Sequence, residues 1–150
     1  MNIRKAVIQE ADDLTQLAIR SKAYWGYSDE FIESCRAALT ITPEFIAAAH
    51  VYVVEDEGKI QGFIALEQDG DSSILSDVFI DPSAVRLGYG RVLWQHIMGL
   101  AKELGIPKVI IHSDPHAEGF YLSMGAKRIG DVESTVTKGR FLPLMEIVLS

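Results

Sequence analysis

Cysteine is almost missing from this 150-residue sequence. The single Cys35 excludes an internal disulfide and cannot by itself anchor a thiolate metal site. Histidine is also sparse, and His50, His96, His112 and His116 show no metal-ligand spacing, so no metal is expected. No apolar run approaches the roughly 20 residues that a membrane helix needs. Met1–Lys5 and the polar stretch after it do not read as a secretory leader, which makes a reducing cytoplasm the expected setting. Basic residues are outnumbered, 14 against 21 acidic, for a net charge of −7, and no basic cluster occurs. Nucleic acid and membrane surfaces are therefore not expected partners. Internal repeats, low-complexity segments and linkers are absent too.

What is present fits one domain over residues 1–150, with 48% hydrophobic residues to build a core. Residues 3–8 alternate weakly and predict a strand. Ala11 to Tyr24 carries Leu14, Leu17, Ala18 and Ile19 on one face and predicts an amphipathic helix. Ser28 caps a second helix from Asp29 to about Leu39, and Thr42-Pro43 opens a short third. From His50 the period changes to two. Val51–Glu55 and Lys59–Glu67 form a hairpin across Asp56-Glu57-Gly58, and Gln68–Asp71 turns into a strand over Ser72–Ile80. A helix runs on from Gly90 until Gly105 and Pro107 close it. Lys108–His112 is a short strand, parallel to 72–80, and Ala117–Met124 a short helix. Residues 127–133 and 141–149 are the last two strands. Their edges make a homodimer a possible partner arrangement. The order is α+β with one βαβ crossover in a mixed, mostly antiparallel sheet of six to seven strands.

The rest of the chain is organised around Asp77-Val78-Phe79-Ile80-Asp81-Pro82 and the loop Ser83-Ala84-Val85-Arg86-Leu87-Gly88-Tyr89-Gly90-Arg91. A strand, a turn and a glycine-bearing loop lead straight into a helix. Helix starts leave backbone N–H groups unpaired and carry partial positive charge, so a phosphorylated cofactor is expected there. A P-loop would need Lys-Ser/Thr where Arg91-Val92 stands, and a dinucleotide fingerprint a third glycine where Leu93 stands. Two glycines that merely relieve a tight connection are the plain alternative.

Together with Asp114-Pro115-His116-Ala117-Glu118-Gly119-Phe120-Tyr121-Leu122-Ser123-Met124-Gly125-Ala126, this stretch resembles the GNAT-type N-acetyltransferases. The loop resembles their pyrophosphate loop, the second segment their N-x-x-A-x-x-F-Y-x-x-x-G motif, and the element order agrees throughout. Two positions depart from the pattern. Val85 stands where the family has Gln or Arg, with Arg86 beside it, and Asp114 replaces an Asn, which keeps a capping role.

The resemblance implies acetyl-CoA as co-substrate. It places the pyrophosphate on the N–H groups of Leu87, Gly88, Tyr89, Gly90 and Arg91, with charge from Arg86 or Arg91. It places the pantetheine arm along Val78, Phe79 and Ile80, where the parallel strands splay, and counts Asp114, His116 and Phe120 with the cofactor site. A neutral amine would attack the thioester, and a backbone N–H of residues 78–80 would polarise the carbonyl. Tyr121 resembles the family's general acid. A phenol titrating near pH 10 is protonated at neutrality and can donate. Asp77 is the first candidate base and His112 the second. Acceptor contacts are expected from Tyr24, Trp25, Tyr27 and Phe31, an aromatic cluster able to hold an alkylammonium by cation–π contact, and from His112. The implied reaction is acetylation of a primary amine on a small molecule or peptide. A non-catalytic acyl-CoA-binding or regulatory module is the alternative, since fold does not establish activity.

Overall fold

The computed structural model describes residues 1–70 and 72–149. Seven strands form one sheet: β1 (Asn2–Lys5), β2 (His50–Asp56), β3 (Lys59–Glu67), β4 (Ser72–Ile80), β5 (Lys108–His112), β6 (Lys127–Glu133) and β7 (Phe141–Val148), in the order β1-β2-β3-β4-β5-β7-β6. Among the described residues only β4 and β5 run parallel, and the helix α4 (Tyr89–Glu103) crosses between them. The expected α+β architecture is the observed one.

Two apolar layers cover the sheet. On one face α1 (Ala11–Ala23), α2 (Asp29–Leu39) and α3 (Pro43–Ala48) pack with Val51, Val53, Phe63 and Ala65. On the other, α4 and the short α5 (Glu118–Ser123) pack with Leu66, Leu75, Val109, Ile111 and Met145. The caps read from sequence hold. Ser28 Oγ accepts the Phe31 N–H at 3.1 Å, and Thr42 Oγ1 accepts the Phe45 N–H at 3.0 Å. No helix among the described residues is long and apolar enough to cross a membrane.

Three boundaries differ from the sequence reading. The first strand stops at Lys5, because the Glu10 carboxylate takes the Val7 N–H at 2.9 Å and turns the chain into a short 3-10 segment, Ile8–Glu10. The segment before α5 is a separate 3-10 turn, Pro115–Ala117, capped by Asp114. The turn expected over Gln68–Asp71 is described only as far as Gly70, since Asp71 lies outside the described residues.

The decisive irregularity is a bulge in β4. Ala65 pairs with Asp77 but Leu66 pairs with Leu75, so Ser76 is an extra residue. Leu75 faces α4, and strict alternation would put Asp77 beside it. The bulge reverses the parity. Asp77 and Phe79 turn toward α1 and α2, while Val78 and Ile80 turn toward α4. At the same point the parallel ladder ends: its last pair is Leu75 with Ile111, and the two strands part beyond it.

Candidate active site

A cleft of about 660 Å³ occupies the gap between the parted strands. By strand alternation the Val78 and Ile80 N–H groups point into it. The Asp81 N–H already bonds Gln61 O on the β3 side at 2.8 Å, which fixes the phase of the strand. A stretch of β4 backbone therefore stands unpaired along the opening, as an extended, amide-rich ligand requires.

Above this edge the loop enters α4. Gly88 is the N-cap with φ 90° and ψ 2°, a left-handed conformation that favours glycine, and no side chain caps the helix. Among the described residues, the N–H groups of Gly88, Tyr89, Gly90 and Arg91 have no acceptor, and Val92 is the first to bond back, to Gly88 O. Gly90 has a different reason to be glycine. An added Cβ would lie 3.3 Å from the Phe120 ring, so α5 packs directly against the helix start. Tyr89 anchors the turn by donating its hydroxyl to Asp56 Oδ2 at 2.7 Å. Arg86, at φ 70°, lies on the cleft wall with Val85 and Arg91. Leu87 departs from expectation. Its N–H bonds Ala84 O at 3.4 Å, and its side chain is 66% exposed and outside the cleft.

Tyr121 and Asp77 both line the cleft, but they belong to opposite faces of the sheet. Tyr121 sits in the α4–α5 layer against Trp94 and Phe120. Burial, with the Asp77 and Asp114 carboxylates, holds its phenol well above the ordinary value, so it stays protonated. Asp77 is enclosed except toward the cleft. Burial pushes its carboxyl up to about 6 against a hydrogen bond from Ser76, with Glu67 adding repulsion. His112 ends β5 one residue past the last parallel pair and lines the same opening.

Of the four aromatics expected to contact an acceptor, Tyr24 and Trp25 line the cleft, and Trp25 stacks on His116 with ring centroids 5.2 Å apart and planes at 10°. Tyr27 and Phe31 lie behind it rather than in it. The Tyr27 hydroxyl donates to Asp114 Oδ2 at 2.9 Å and receives Arg140 Nη2 at 2.9 Å, and the Arg140 guanidinium lies over the Phe31 ring at 4.9 Å. Asp114 gathers this cluster. Its carboxylate caps the His116 N–H at 2.8 Å and pairs with Lys22 Nζ at 2.5 Å. Burial works against its charge, but the Lys22 and His116 hydrogen bonds outweigh it and hold the carboxyl at about 2. Lys22 and Arg140 escaped the sequence reading. Lys22 lies inside the aromatic segment Ser21–Tyr27, whereas Arg140, in the connection between β6 and β7, carries no local signal.

The second ion pair of α1, Arg20 with Asp81 at 2.8 Å, reaches the end of β4. The last turns of α1 are thus pinned to both lips of the opening, at Asp81 after β4 and at Asp114 after β5. Among the described residues no three His, Cys, Asp or Glu side chains converge as a metal site would need.

Residues 10–149 match the model of the acetyltransferase (GNAT) domain. The chain belongs to the GNAT acetyltransferase family. A peptidyl-lysine N-acetyltransferase of Salmonella typhimurium is 28% identical over 150 residues, covering 99% of this chain and 97% of that one. A 5-NmdU N-acetyltransferase of Pseudomonas phage PaMx11 is 25% identical over 131 residues, 86% of this chain and 89% of its own. The PaiA N-acetyltransferase of Thermoplasma acidophilum, solved in complex with coenzyme A, superimposes with a TM-score of 0.81 at 21% identity, covering 98% of both chains. As a GNAT acetyltransferase this protein uses acetyl-CoA. The unpaired amides before α4, the glycine that lets Phe120 pack close, and the open β4 edge fit that co-substrate's diphosphate and amide-rich arm.

Proposed function

We propose that the protein transfers acetyl from acetyl-CoA to a primary amine of a small molecule or peptide by direct attack. Tyr121 acts as general acid and Asp77 as general base. The observation that carries this reading is that the opening passes through the sheet with one of these groups on each face.

When bound, acetyl-CoA supplies an activated thioester whose sulfur leaves as a thiolate. The N–H groups of Gly88 to Arg91 hold its diphosphate, with Arg86 and Arg91 adding charge at the rim. Val78 and Ile80 pair with the pantetheine amides, and one of their N–H groups polarises the carbonyl oxygen. Phe79, on the acceptor side of β4, packs under the reacting amine. Asp77, with its carboxyl near 6, is mostly ionised at neutral pH and takes a proton from the acceptor nitrogen, so that a neutral amine attacks the thioester carbon. Tyr121 gives its proton to the departing sulfur. Trp25 and Tyr24 roof the acceptor, and His112 flanks it from the opposite lip. One relative is a peptidyl-lysine N-acetyltransferase and another a 5-NmdU N-acetyltransferase, so acetylation at nitrogen is the chemistry they share.

The test is a thiol-release assay with acetyl-CoA and a panel of alkylamines, polyamines, amino acids and lysine peptides. Turnover with at least one amine, abolished without acetyl-CoA, is the expected outcome. A protein that is thermally stabilised by CoA yet releases no thiol with any amine would be the binding module instead.

A further inference from the structure

A side pocket of about 170 Å³ adjoins the cleft, and Lys22, Ala38, Leu39, His112 and Leu142 line both spaces. Its volume equals five or six waters at about 30 Å³ each, enough for a short aliphatic chain. It lies on the α1–α2 face, the face to which Asp77 turns. For an acceptor reaching Asp77 from this side the pocket is the adjoining space, across the residues that line both.

The pocket is cationic at depth. Lys22 and Arg140 line it with side chains only 15% and 22% exposed, and Asp114, 17% exposed, is the one half-buried carboxylate beside them. Asp114 is committed to Lys22 at 2.5 Å, whereas its nearest oxygen stands 3.9 Å from Arg140. Glu133 also lines the pocket, but it is solvent-exposed at the rim and its carboxylate turns back to accept the Gly139 N–H at 2.7 Å. Screening weakens an exposed charge far more than a half-buried one. His116, which faces Asp114, adds no negative charge in either protonation state. Two cations thus share one half-buried carboxylate, which leaves one positive charge over, and Arg140 holds the longer and weaker of the two pairs.

Arg140 is also held in position. The Phe31 and Tyr27 rings lie 4.9 and 5.4 Å from its guanidinium carbon, and its described hydrogen bond, to Tyr27, uses Nη2. Nη2 has a second hydrogen, so with Nε or with Nη1 it still offers one edge of the planar fork, the shape that pairs with a carboxylate.

We infer that the acceptor is a small amine bearing a carboxylate several atoms from its amino group, with the amine at Asp77 and the carboxylate on Arg140. This rests on the transfer reading above and narrows it to amino-acid-like acceptors.

The test compares ω-amino carboxylates of two to six carbons with n-alkylamines of equal length, by thiol release. At the best length the carboxylate raises kcat/KM about tenfold or more, the range of a hydrogen bond to a charged group, chiefly through KM. In Arg140→Gln the ratio of carboxylated to plain amine falls toward one, and Arg140→Lys restores part of it. Equal kcat/KM for both series in the wild type, an unchanged ratio in Arg140→Gln, or a lysine peptide preferred over every free carboxylated amine overturns the inference and leaves amine acetylation standing. Should Arg140→Gln not fold, simple alkanoates decide on the wild type. Competition against the amine supports the subsite, and no inhibition sinks it. If no amine releases thiol, the transfer reading fails and this one with it.

Discussion

The two faces of the opening are built by different means. On the α4–α5 face the groups proposed to act are backbone amides, two glycines and one phenol, all within residues 85–121. On the α1–α2 face they are side chains drawn from α1, the bulge of β4, the end of β5 and the connection before β7. Backbone donors at a helix start are placed by local conformation, so a short motif specifies them. Salt bridges and stacked rings are placed by tertiary contact, so no motif does. In the proposed reading the α4–α5 face, which takes the cofactor, is therefore the more generic half of the protein, and the α1–α2 face, which takes the acceptor, the individual one.

Substitutions on each face should separate these roles. Tyr121→Phe is expected to lower kcat by about 10²- to 10³-fold, the usual share of a general acid, while CoA affinity stays close to wild type. Unchanged turnover with several amines would remove the phenol from the chemistry. Asp77→Asn should lower kcat/KM at neutral pH by about 10²-fold. In the wild type log kcat/KM should rise with pH through about 6 and then flatten, and this limb should vanish in the variant.

The same carboxyl makes a stability prediction. Its folded pKa, about 6, lies above the unfolded value of 3.8, so its contribution favours folding at low pH and is lost as pH rises through 6. Asp77→Asn should then be more stable than wild type at pH 7.5, by about 2 kcal/mol, and no more stable at pH 3.5. Urea denaturation at the two pH values checks this. A variant less stable at pH 7.5 would contradict the burial that raises this carboxyl.

Asp114 has the opposite sign. Held at about 2, it contributes stability above pH 4 that is lost as pH falls toward 2. Asp114→Asn should cost about 2 kcal/mol at pH 7, loosen Trp25 and raise the acceptor KM more than the acetyl-CoA KM. Equal effects on both constants would mean that the cluster does not belong to one face. The smallest effect is expected at Gly88→Ala. A left-handed residue there costs about 1 kcal/mol in thermal unfolding, with weaker CoA binding and little change in the preference among amines.

Much of the fold was legible. The period change at His50, the Ser28 and Thr42 caps and the Gly105-Pro107 stop all act through nearest neighbours, and the structure keeps them. The loop to α4 was legible for the same reason. Leu87 was misjudged, because a turn back to Ala84 consumes its N–H. Tyr27 and Phe31 were rightly grouped as a cluster. Their place behind the cleft was hidden, since it depends on Arg140, more than a hundred residues away. A trace of the bulge could be read in the polar Ser76-Asp77 pair that breaks the apolar strand, but its consequence, turning Asp77 across the sheet, required the partner strand.

Alone, the sequence determined the order of elements, the glycine-bearing helix start and the Phe120-Tyr121 segment that follows β5, because each follows from φ/ψ preference, periodicity or a contiguous motif. Tertiary structure alone decided which face Asp77 turns to, where the parallel strands part and which cations share the Asp114 carboxylate. Those outcomes depend on register between strands and on charges meeting across the fold, and neither is written in any local stretch of chain.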